Sequence, residues 1–294
     1  MKILVTGANG LLGMNIVGLA YMRGFKVCRT DVNNPTDATD YVSRDLTNRE
    51  AVFSLCANFR PDTIINTAAI TDVDICEREK GAATAVNADA AGYLAEAARS
   101  IGAHMIQVST DYVFDGQRGF YSEDDTPNPI NHYGYSKLLG ERKVISAGGS
   151  WCVARTSVIF GWGRENRSNF ATWVLNGLRE EKKLTVVTDQ YASPTLNSNL
   201  AEILLEISER QMQGIYHTVG KDRINRYDMA VKIANIFGLD RNLVLPVDSN
   251  DINWLAKRPH DSSLKADKVS QNLKAKSLPL DKAIIEMKTT EKKG

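Results

Sequence analysis

The stretch Thr6-Gly7-Ala8-Asn9-Gly10-Leu11-Leu12-Gly13 decides the fold. It follows the apolar run Ile3-Leu4-Val5 and leads into a helical pattern. Gly7 permits a tight turn, Gly10 lets a pyrophosphate approach the backbone, and Gly13 lets the helix pack closely on the strand. The amides at the start of that helix would hold the phosphates. An ordinary strand–turn–helix is the alternative, and the flanking strand and helix favour a dinucleotide site.

Short apolar runs alternate with helical patterns through the first half of the chain. The predicted strands are Ile3 to Val5, Lys26 to Thr30, Thr63 to Asn66, Met105 to Ser109 and Cys152 to Arg155. The predicted helices are Leu11 to Arg23, Arg49 to Phe59, Gly81 to Ile101 and Tyr133 to Ser146. This alternation predicts an α/β fold, a Rossmann-type doubly wound parallel sheet whose strands all end at one ligand-binding edge.

The pattern loosens after about residue 160. Helices are predicted over Asn169 to Glu181, Leu196 to Arg210, Arg226 to Phe237 and Leu280 to Met287, with short strands over Thr185 to Val187 and Ile215 to Thr218. We therefore expect a dinucleotide-binding domain over residues 1–160 that includes a catalytic Tyr/Lys helix. A smaller substrate lobe, interwoven with the end of the sheet, is expected over 161–287. Residues 288–294 are expected to form a solvated tail.

Composition excludes several classes of protein. The 294 residues carry a net charge of +1, too little to attract nucleic acid or an anionic membrane surface. No stretch has the length of a membrane span, and the apolar run at the N-terminus is too short for a signal peptide. The four cysteines are not spaced as a metal clip or redox pair, and four free thiols suit a reducing compartment. We expect a cytoplasmic protein.

Residues after the later strands complete the expected cofactor site. Asp31 ends the second strand, where a carboxylate binds the adenosine ribose and repels a 2′-phosphate, so NADH is favoured over NADPH. Arg29 could soften that preference, and a surface turn is the alternative role for Asp31. The expected cofactor-binding residues are Gly7, Asn9, Gly10, Leu11, Leu12, Gly13, Asp31, Asp45, Leu46, Ala68, Ala69, Tyr133 and Lys137.

Tyr133 and Lys137 lie four residues apart, on one face of a predicted helix. An ammonium near a phenol lowers the phenol's pKa, so the pair can protonate a carbonyl oxygen that is being reduced. Thr110, at the end of the fourth strand, could hydrogen-bond the same oxygen. Tyr-x-x-x-Lys alone says little, because an exposed helix carries such pairs by chance. Tyr135 lies two residues from the lysine and faces elsewhere.

Several motifs together resemble the extended short-chain dehydrogenase/reductase family, in its dTDP-4-dehydrorhamnose reductase branch. The motifs are Gly7 to Gly13, Ser109 to Gly116, Tyr133 to Lys137, Thr71-Asp72-Val73-Asp74 with Cys76-Glu77, Asp189-Gln190 with Ser193-Pro194-Thr195, and Arg258-Pro259 with Ser263-Leu264. The resemblance implies NAD(P)H-dependent reduction of the 4-keto group of a nucleotide-activated deoxysugar. It extends to about Leu264.

The resemblance also implies roles for individual residues. Thr110, Tyr133 and Lys137 would be the catalytic triad. The residues that would border the sugar are Thr71, Val73, Asp111 and Tyr112. We expect Arg258 near the substrate diphosphate or sugar, because arginine suits bidentate phosphate contacts. No metal is expected, because acidic residues that bridge subunits through magnesium in some members are not evident.

Two departures from the family's pattern leave the exact sugar open. The family often has a tryptophan after Arg-Thr-Ser, where this chain has Val158, and Trp162 four residues later is a possible replacement. The glycine usual after Asp-Gln-x is Ala192. Neither change touches the reductase chemistry.

Two other functions compete with reduction. The first is that of another enzyme of the same fold, a sugar-nucleotide dehydratase or epimerase. Dehydratases of this fold carry an acid at the position of Tyr112, which argues against dehydration here. The regulatory β-subunit of methionine adenosyltransferase resembles this branch and serves as a binding partner. Intact Thr110, Tyr133 and Lys137 favour catalysis over that role. The expected partners are a nucleotide sugar and a second copy of the chain in a homodimer, with no nucleic acid and no membrane.

Overall fold

Successive residues of the first strand face two different cores. Ile3 and Val5 point into one and Leu4 into the other, and all three are fully buried. Because both faces of a parallel sheet are covered, its strands are continuous apolar runs rather than alternating ones. The structure is a computed structural model that describes residues 1–32, 39–163 and 168–291.

The elements follow one another in the expected alternation. The first half forms β1 (Lys2–Thr6), α1 (Leu11–Met22), β2 (Lys26–Asp31), β3 (Tyr41–Ser43), α2 (Arg49–Phe59), β4 (Thr63–Asn66), α3 (Val73–Arg78), α4 (Lys80–Thr84), α5 (Ala90–Ile101), β5 (His104–Thr110), α6 (His132–Ala147) and β6 (Trp151–Thr156). The second half forms β7 (Ile159–Phe160), α7 (Phe170–Arg179), β8 (Leu184–Val187), β9 (Tyr191–Ala192), β10 (Thr195–Leu196), α8 (Asn197–Arg210), β11 (Gly214–His217), β12 (Ile224–Asn225), α9 (Arg226–Phe237), β13 (Val244–Val247), α10 (Asp267–Asn272) and α11 (Leu280–Thr289).

A seven-stranded sheet holds the strands in the order β11-β6-β5-β4-β1-β2-β3, and every neighbouring pair is parallel. The chain starts in the middle, builds outward through β2 and β3, and then returns to the other side of β1 at β4. Strand order therefore reverses between β1 and β4, and a crevice for a ligand forms at such a reversal. The predicted fold class is confirmed.

Helices cover both faces of this sheet. α1 and α8 pack on one face through residues such as Ile16 and Leu204, while α2, α5 and α6 cover the other. A further core joins α7, α9 and α11 to β8 and β13. Thus β11 and α8, which come late in the chain, belong to the sheet and its helical layer. The division of the chain at residue 160 stays a prediction.

The predicted helix over Gly81 to Ile101 is interrupted. Ala85–Asp89 forms a π-helical turn between α4 and α5. Asn87 in this turn exchanges hydrogen bonds with the backbone of Ile70 and donates to Ser136 Oγ at 3.0 Å. Gly140 of α6 lies so close that a Cβ there would come within 2.3 Å of the Asn87 carbonyl oxygen. These contacts outside the helix explain the interruption, which helix propensity alone does not predict.

Other differences lie at the ends of elements and in the connections. α3 was not predicted, although Asp72 caps it by accepting the Ile75 N–H at 2.8 Å. α11 continues through Thr289, two residues further than expected. Glu291 beyond it pairs with Arg179 at 2.5 Å. Residues 292–294 of the predicted tail lie outside the described residues.

Candidate active site

The glycine turn after β1 leaves no room for side chains at Gly7 and Gly13. Gly7 has a φ of +62°, and a Cβ there would lie 2.7 Å from the Ala68 nitrogen. A Cβ on Gly13 would lie 2.3 Å from the Gly7 carbonyl oxygen. Within the described ranges no side chain caps α1 at Gly10, and its first turn holds no acidic residue. The residues present therefore fit a pyrophosphate bound to backbone amides.

The expected adenosine end of the site lies at the end of β2. Asp31 accepts the backbone N–H of Asn9 at 3.2 Å and that of Val32 at 2.8 Å. Arg29 pairs with Asp40 at 2.6 Å, so its charge is balanced within the chain. Because Arg29 is already ion-paired, its charge is less able to weaken the NADH preference that Asp31 favours.

The remaining expected cofactor residues differ in their exposure and in the groups that a ligand could contact. Asp45 is exposed and accepts two hydrogen bonds from Thr47. Leu46 is buried in the core beside α2, which leaves its backbone for a ligand. Ala68 and Ala69 follow β4 at the same edge and are partly buried. Their cofactor roles stay predictions.

The structure brings Thr110, Tyr133 and Lys137 together at the sheet edge. Thr110 ends β5, and Tyr133 and Lys137 lie on α6, which Asn131 caps by accepting the Gly134 N–H at 2.9 Å. A Cβ on Gly134 would lie 2.0 Å from the Tyr112 carbonyl oxygen. This close approach brings the start of α6 against the end of β5. Tyr135 is 49% exposed.

Burial dominates the titration of the Tyr–Lys pair. It lowers the pKa of Lys137 to about 8, while the charge of Glu141 opposes the shift. It raises the pKa of Tyr133, and the main opposing influence is a hydrogen bond with Thr110. The expected lowering of the Tyr133 pKa by the Lys137 ammonium is therefore not the leading effect. That ammonium donates to the Val108 carbonyl oxygen at 2.7 Å.

Asp111, expected beside the sugar, is only 3% exposed. Its carboxylate accepts hydrogen bonds from Thr110 Oγ1 at 3.0 Å, Ser157 Oγ at 2.7 Å and Ser262 Oγ at 2.5 Å. Burial raises its pKa, and these hydroxyls lower it in part. Asp111 therefore orients the Thr110 hydroxyl, which places it behind the site rather than at its surface.

A buried ion pair behind the lysine was missed by sequence reasoning. Arg155 Nη2 lies 2.8 Å from Glu141 Oε2, and both side chains are 2% exposed. Ser109 donates to Glu141 Oε1 at 2.5 Å. Because the pair joins residues on α6 and β6, it ties α6, which carries Tyr133 and Lys137, to the sheet. No local pattern marks such a pair.

A cavity of about 490 Å³ opens beside Tyr112, whose ring packs against that of Tyr133. Three of the expected substrate residues line it, namely Val73, Tyr112 and Arg258. Thr71 is exposed and does not line the cavity. The other lining residues are Val158, Ile159, Asn169, Phe170, Trp173, Thr185, Val186, Val187, Gln190, Arg226, Ile252 and Trp254. Arg226 was missed, and nothing in its sequence context signals it.

The tryptophans of this region have separate roles. Trp162 donates to the Met287 carbonyl oxygen at 2.6 Å and packs edge-on against Phe237, so it does not replace the tryptophan absent at Val158. Trp173 and Trp254 line the cavity instead. Val158 has a φ of +42°, an unusual conformation for a branched residue.

The fold, the glycine turn and the Tyr133–Lys137 pair at the sheet edge define the class, an NAD(P)-dependent oxidoreductase of the extended short-chain dehydrogenase/reductase type. Residues 1–292 match the family described as RmlD substrate binding domain, and the chain belongs to that family. Within the described ranges, no helix has the length and apolar character to cross a membrane.

Two curated relatives and a solved structure illustrate the similarity. A dTDP-4-dehydrorhamnose reductase of Aggregatibacter actinomycetemcomitans is 36% identical, over 92% of each chain. Methionine adenosyltransferase 2 subunit beta of Danio rerio is 31% identical, over 96% of this chain and 88% of the relative. The structure of the Bacillus anthracis dTDP-4-dehydrorhamnose reductase in complex with NADP has a TM-score of 0.90 and 28% identity, over 99% of each chain.

Proposed function

We propose that this protein reduces the 4-keto group of a nucleotide-activated deoxysugar with NAD(P)H, and that the substrate is dTDP-4-dehydro-L-rhamnose or a close relative. The observation that carries the proposal is the meeting of Thr110, Tyr133 and Lys137 beside a cavity lined by aromatic and cationic side chains. A relative that is 36% identical carries the same named activity, which supports the substrate class.

Each residue of the triad has a distinct task. The nicotinamide cofactor supplies a hydride when bound. Tyr133 gives its hydroxyl proton to the oxygen that becomes an alkoxide at C4 of the sugar. Because burial raises its pKa, Tyr133 stays protonated at neutral pH and is ready to act as the acid. Lys137 would hold the nicotinamide ribose of a bound cofactor, and its ammonium also favours the phenolate left after proton transfer.

Thr110 acts on the same oxygen, and Asp111 supports it from behind the site. The Thr110 hydroxyl donates to Asp111 Oδ1 at 3.0 Å in the structure. When this hydroxyl turns toward the sugar, it hydrogen-bonds the reacting oxygen beside Tyr133. Asp111 then keeps the hydroxyls of Ser157 and Ser262 as partners, so its buried charge stays solvated by the protein.

The aromatic side chains of the cavity suit the nucleotide base. Phe170 and Trp173 lie 5.9 Å apart between ring centroids on the first two turns of α7, and Trp254 lines the cavity as well. Rings of this kind offer faces on which a base can stack. Gln190 and Asn169 supply polar groups that can fix its orientation.

A panel of nucleotide-linked 4-keto sugars tests the proposal. The purified protein is mixed with NADH or NADPH and each sugar, and cofactor oxidation is followed at 340 nm. We expect oxidation with dTDP-4-dehydro-L-rhamnose and less with 4-keto sugars that carry another base. Cofactor binding without reduction of any member of the panel would refute the proposal.

The preference for NADH is part of the proposal. Asp31 ends β2 with a carboxylate held by two backbone amides, and Arg29 is paired with Asp40. A 2′-phosphate would therefore meet a fixed negative charge there. We expect kcat/KM with NADH to equal or exceed that with NADPH, and a large preference for NADPH would overturn this point. The complex of the Bacillus anthracis relative contains NADP.

A regulatory role is the second candidate. The Danio rerio relative, 31% identical, is named as a subunit of methionine adenosyltransferase. A pull-down from the native cell separates the two functions, because a stoichiometric synthetase partner would favour the subunit role. If the protein also reduces no keto-sugar, the regulatory role becomes the better explanation.

A further inference from the structure

The two arginines of the substrate cavity differ in their surroundings. Arg258 Nη1 lies 2.7 Å from Asp74 Oδ1 and also donates to the Ala256 carbonyl oxygen at 2.6 Å. Arg226 has no carboxylate partner in the part of the chain that the structure describes. No acidic residue of these ranges lines the cavity either. Among the described residues, Arg258 is therefore ion-paired, whereas Arg226 has no ion pair and only the buried Asp111 carboxylate acts on its charge from further away.

The backbone fixes where Arg226 points. It is the first residue of α9, and Asn225 caps that helix by accepting the Asp228 N–H at 2.7 Å. The Arg226 N–H donates to the Gln190 carbonyl oxygen at 3.2 Å, which ties the start of the helix to another wall of the cavity. The guanidinium lies 5.0 Å from the centroid of the Phe170 ring. Arg226 is thus held in place by contacts that leave its charge for a ligand.

Tyr112 connects Arg226 to the reacting groups. Arg226 and Tyr112 line the same cavity, and their side chains hydrogen-bond each other. On its other side, the Tyr112 ring packs edge-on against Tyr133, with 5.7 Å between centroids. One tyrosine ring therefore separates the Arg226 guanidinium from the side chain that donates the proton.

This spacing matches the geometry of a nucleotide sugar. In a six-membered sugar ring, C4 and the phosphate-bearing C1 lie on opposite sides. If the C4 oxygen is at Tyr133, the first phosphoryl group is about one ring away. A partly buried cation without an ion-pair partner is costly, and a ligand anion in contact with it would lower that cost.

We propose that Arg226 binds the phosphoryl group next to the sugar, and that Arg258 is a positioning residue that fixes the cavity wall through Asp74. This inference rests on the proposed function, because the C4 oxygen at Tyr133 sets the distance. The chemistry Arg226 recognises is a pair of anionic oxygens. A carboxylate on the sugar ring would offer the same chemistry, but a carboxylate on C5 would lie beside C4 and nearer to Tyr133.

Binding of dTDP, thymidine and inorganic pyrophosphate to the NADH-loaded protein tests the assignment by calorimetry. Arg226→Ala should weaken dTDP and pyrophosphate by about 10- to 100-fold, the loss of a charged hydrogen bond, and leave thymidine unchanged. Arg226→Lys should fall between wild type and Arg226→Ala, because lysine keeps the charge without the planar fork. Arg258→Ala should lose less affinity for dTDP and pyrophosphate than Arg226→Ala does. Arg241→Ala is the control, because Arg241 is exposed and does not line the cavity, and its affinity for dTDP and pyrophosphate should be unchanged.

Unchanged dTDP affinity in Arg226→Ala, or a larger loss in Arg258→Ala, would overturn the assignment. UDP-glucuronate and UDP-glucose separate the two anion sources. If Arg226→Ala weakens only UDP-glucuronate, Arg226 binds a sugar carboxylate and the phosphoryl assignment is wrong. Melting temperature and NADH affinity show whether each variant is folded. If Arg226→Ala is not folded, the dTDP and pyrophosphate affinities of Arg226→Lys are used for the test in its place.

The outcomes also separate this inference from the proposed function. Pyrophosphate has neither a base nor a sugar, so its loss of affinity in Arg226→Ala identifies the anion site whatever the natural substrate is. A protein that shows this loss and yet reduces no keto-sugar would refute the proposed function alone. A protein that reduces keto-sugars with unchanged KM in Arg226→Ala would refute this inference alone.

Discussion

The cofactor side and the substrate side of the site are built in different ways. The proposed cofactor side depends on one continuous turn, Gly7 to Gly13, in which the backbone conformation and the three glycines would make the site. The substrate side is assembled from side chains that lie far apart in sequence, among them Tyr112, Phe170, Arg226 and Arg258. A local motif can therefore reveal the first, while the second exists only after the chain has folded.

The largest expected effect lies where the two sides meet. Tyr133→Phe removes one oxygen, so folding and cofactor binding should survive while turnover falls by about a hundred- to ten-thousand-fold. Tyr135→Phe is the matched control, because Tyr135 is half exposed and faces away from Lys137. Turnover is measured on a confirmed keto-sugar substrate. Near-normal turnover of Tyr133→Phe would mean that the proton comes from another group.

The cofactor side should respond to the addition of a single methyl group. Gly7→Ala places a Cβ 2.7 Å from the Ala68 nitrogen at a φ of +62°, so the turn must shift. We expect the free energy of unfolding to fall by about 1–3 kcal/mol and NADH affinity to fall with it. Gly18→Ala is the control, since a Cβ there meets nothing within 4 Å and alanine favours the helix. Equal urea midpoints for the two variants would contradict the close approach at Gly7.

The pH profile should report Lys137. Its pKa is lowered to about 8 by burial, so the ammonium is lost as the pH rises through that value. We expect kcat/KM to fall by up to about tenfold per pH unit above 8. In Lys137→Arg this limb should vanish, because arginine does not titrate there. A limb that stays near pH 8 in Lys137→Arg would assign it to another group.

The lowered pKa of Lys137 also affects stability, and this effect runs opposite to the effect on activity as the pH rises. Lys137 binds its proton less tightly in the folded chain than its ordinary value of 10.5. The unfolded chain therefore holds more protons between pH 8 and about 10.5, and this lysine's burial cost declines as the pH rises through that window. Activity and stability should thus separate above pH 8.

The smallest expected effect belongs to the substrate side. Arg258→Ala breaks the ion pair with Asp74, which is only partly buried. We expect the substrate KM to rise by about three- to tenfold with kcat nearly unchanged, because Arg258 shapes the binding wall and not the reaction. The opposite pattern, normal KM with a collapsed kcat, would move Arg258 out of this role.

Sequence reasoning succeeded where structure depends on neighbours along the chain. The strand–glycine–helix context predicted the fold class, and α2 and α9 have the predicted limits. It failed at the π-helical turn of Ala85–Asp89 and at the Glu141–Arg155 pair. Both depend on contacts between elements that are distant in sequence.

The same limit applies within the site. Tyr133 and Lys137 carry a visible spacing, and Thr110 follows a visible strand. Arg226 has neither, because its proposed role depends on the lack of an ion-paired carboxylate among the described residues, which no local pattern shows. The burial that raises the pKa of Tyr133 is likewise a property of the packed chain and not of the motif.

Isotope transfer tests the central claim most directly. The protein is incubated with NADH that carries deuterium at the transferable C4 position and with dTDP-4-dehydro-L-rhamnose, and the sugar product is examined by mass spectrometry and proton NMR. The proposed reduction predicts one deuterium, bound to C4 of the sugar, in wild type and a severely slowed appearance of it in Tyr133→Phe. A wild-type product without deuterium, or with deuterium at another carbon, would contradict it.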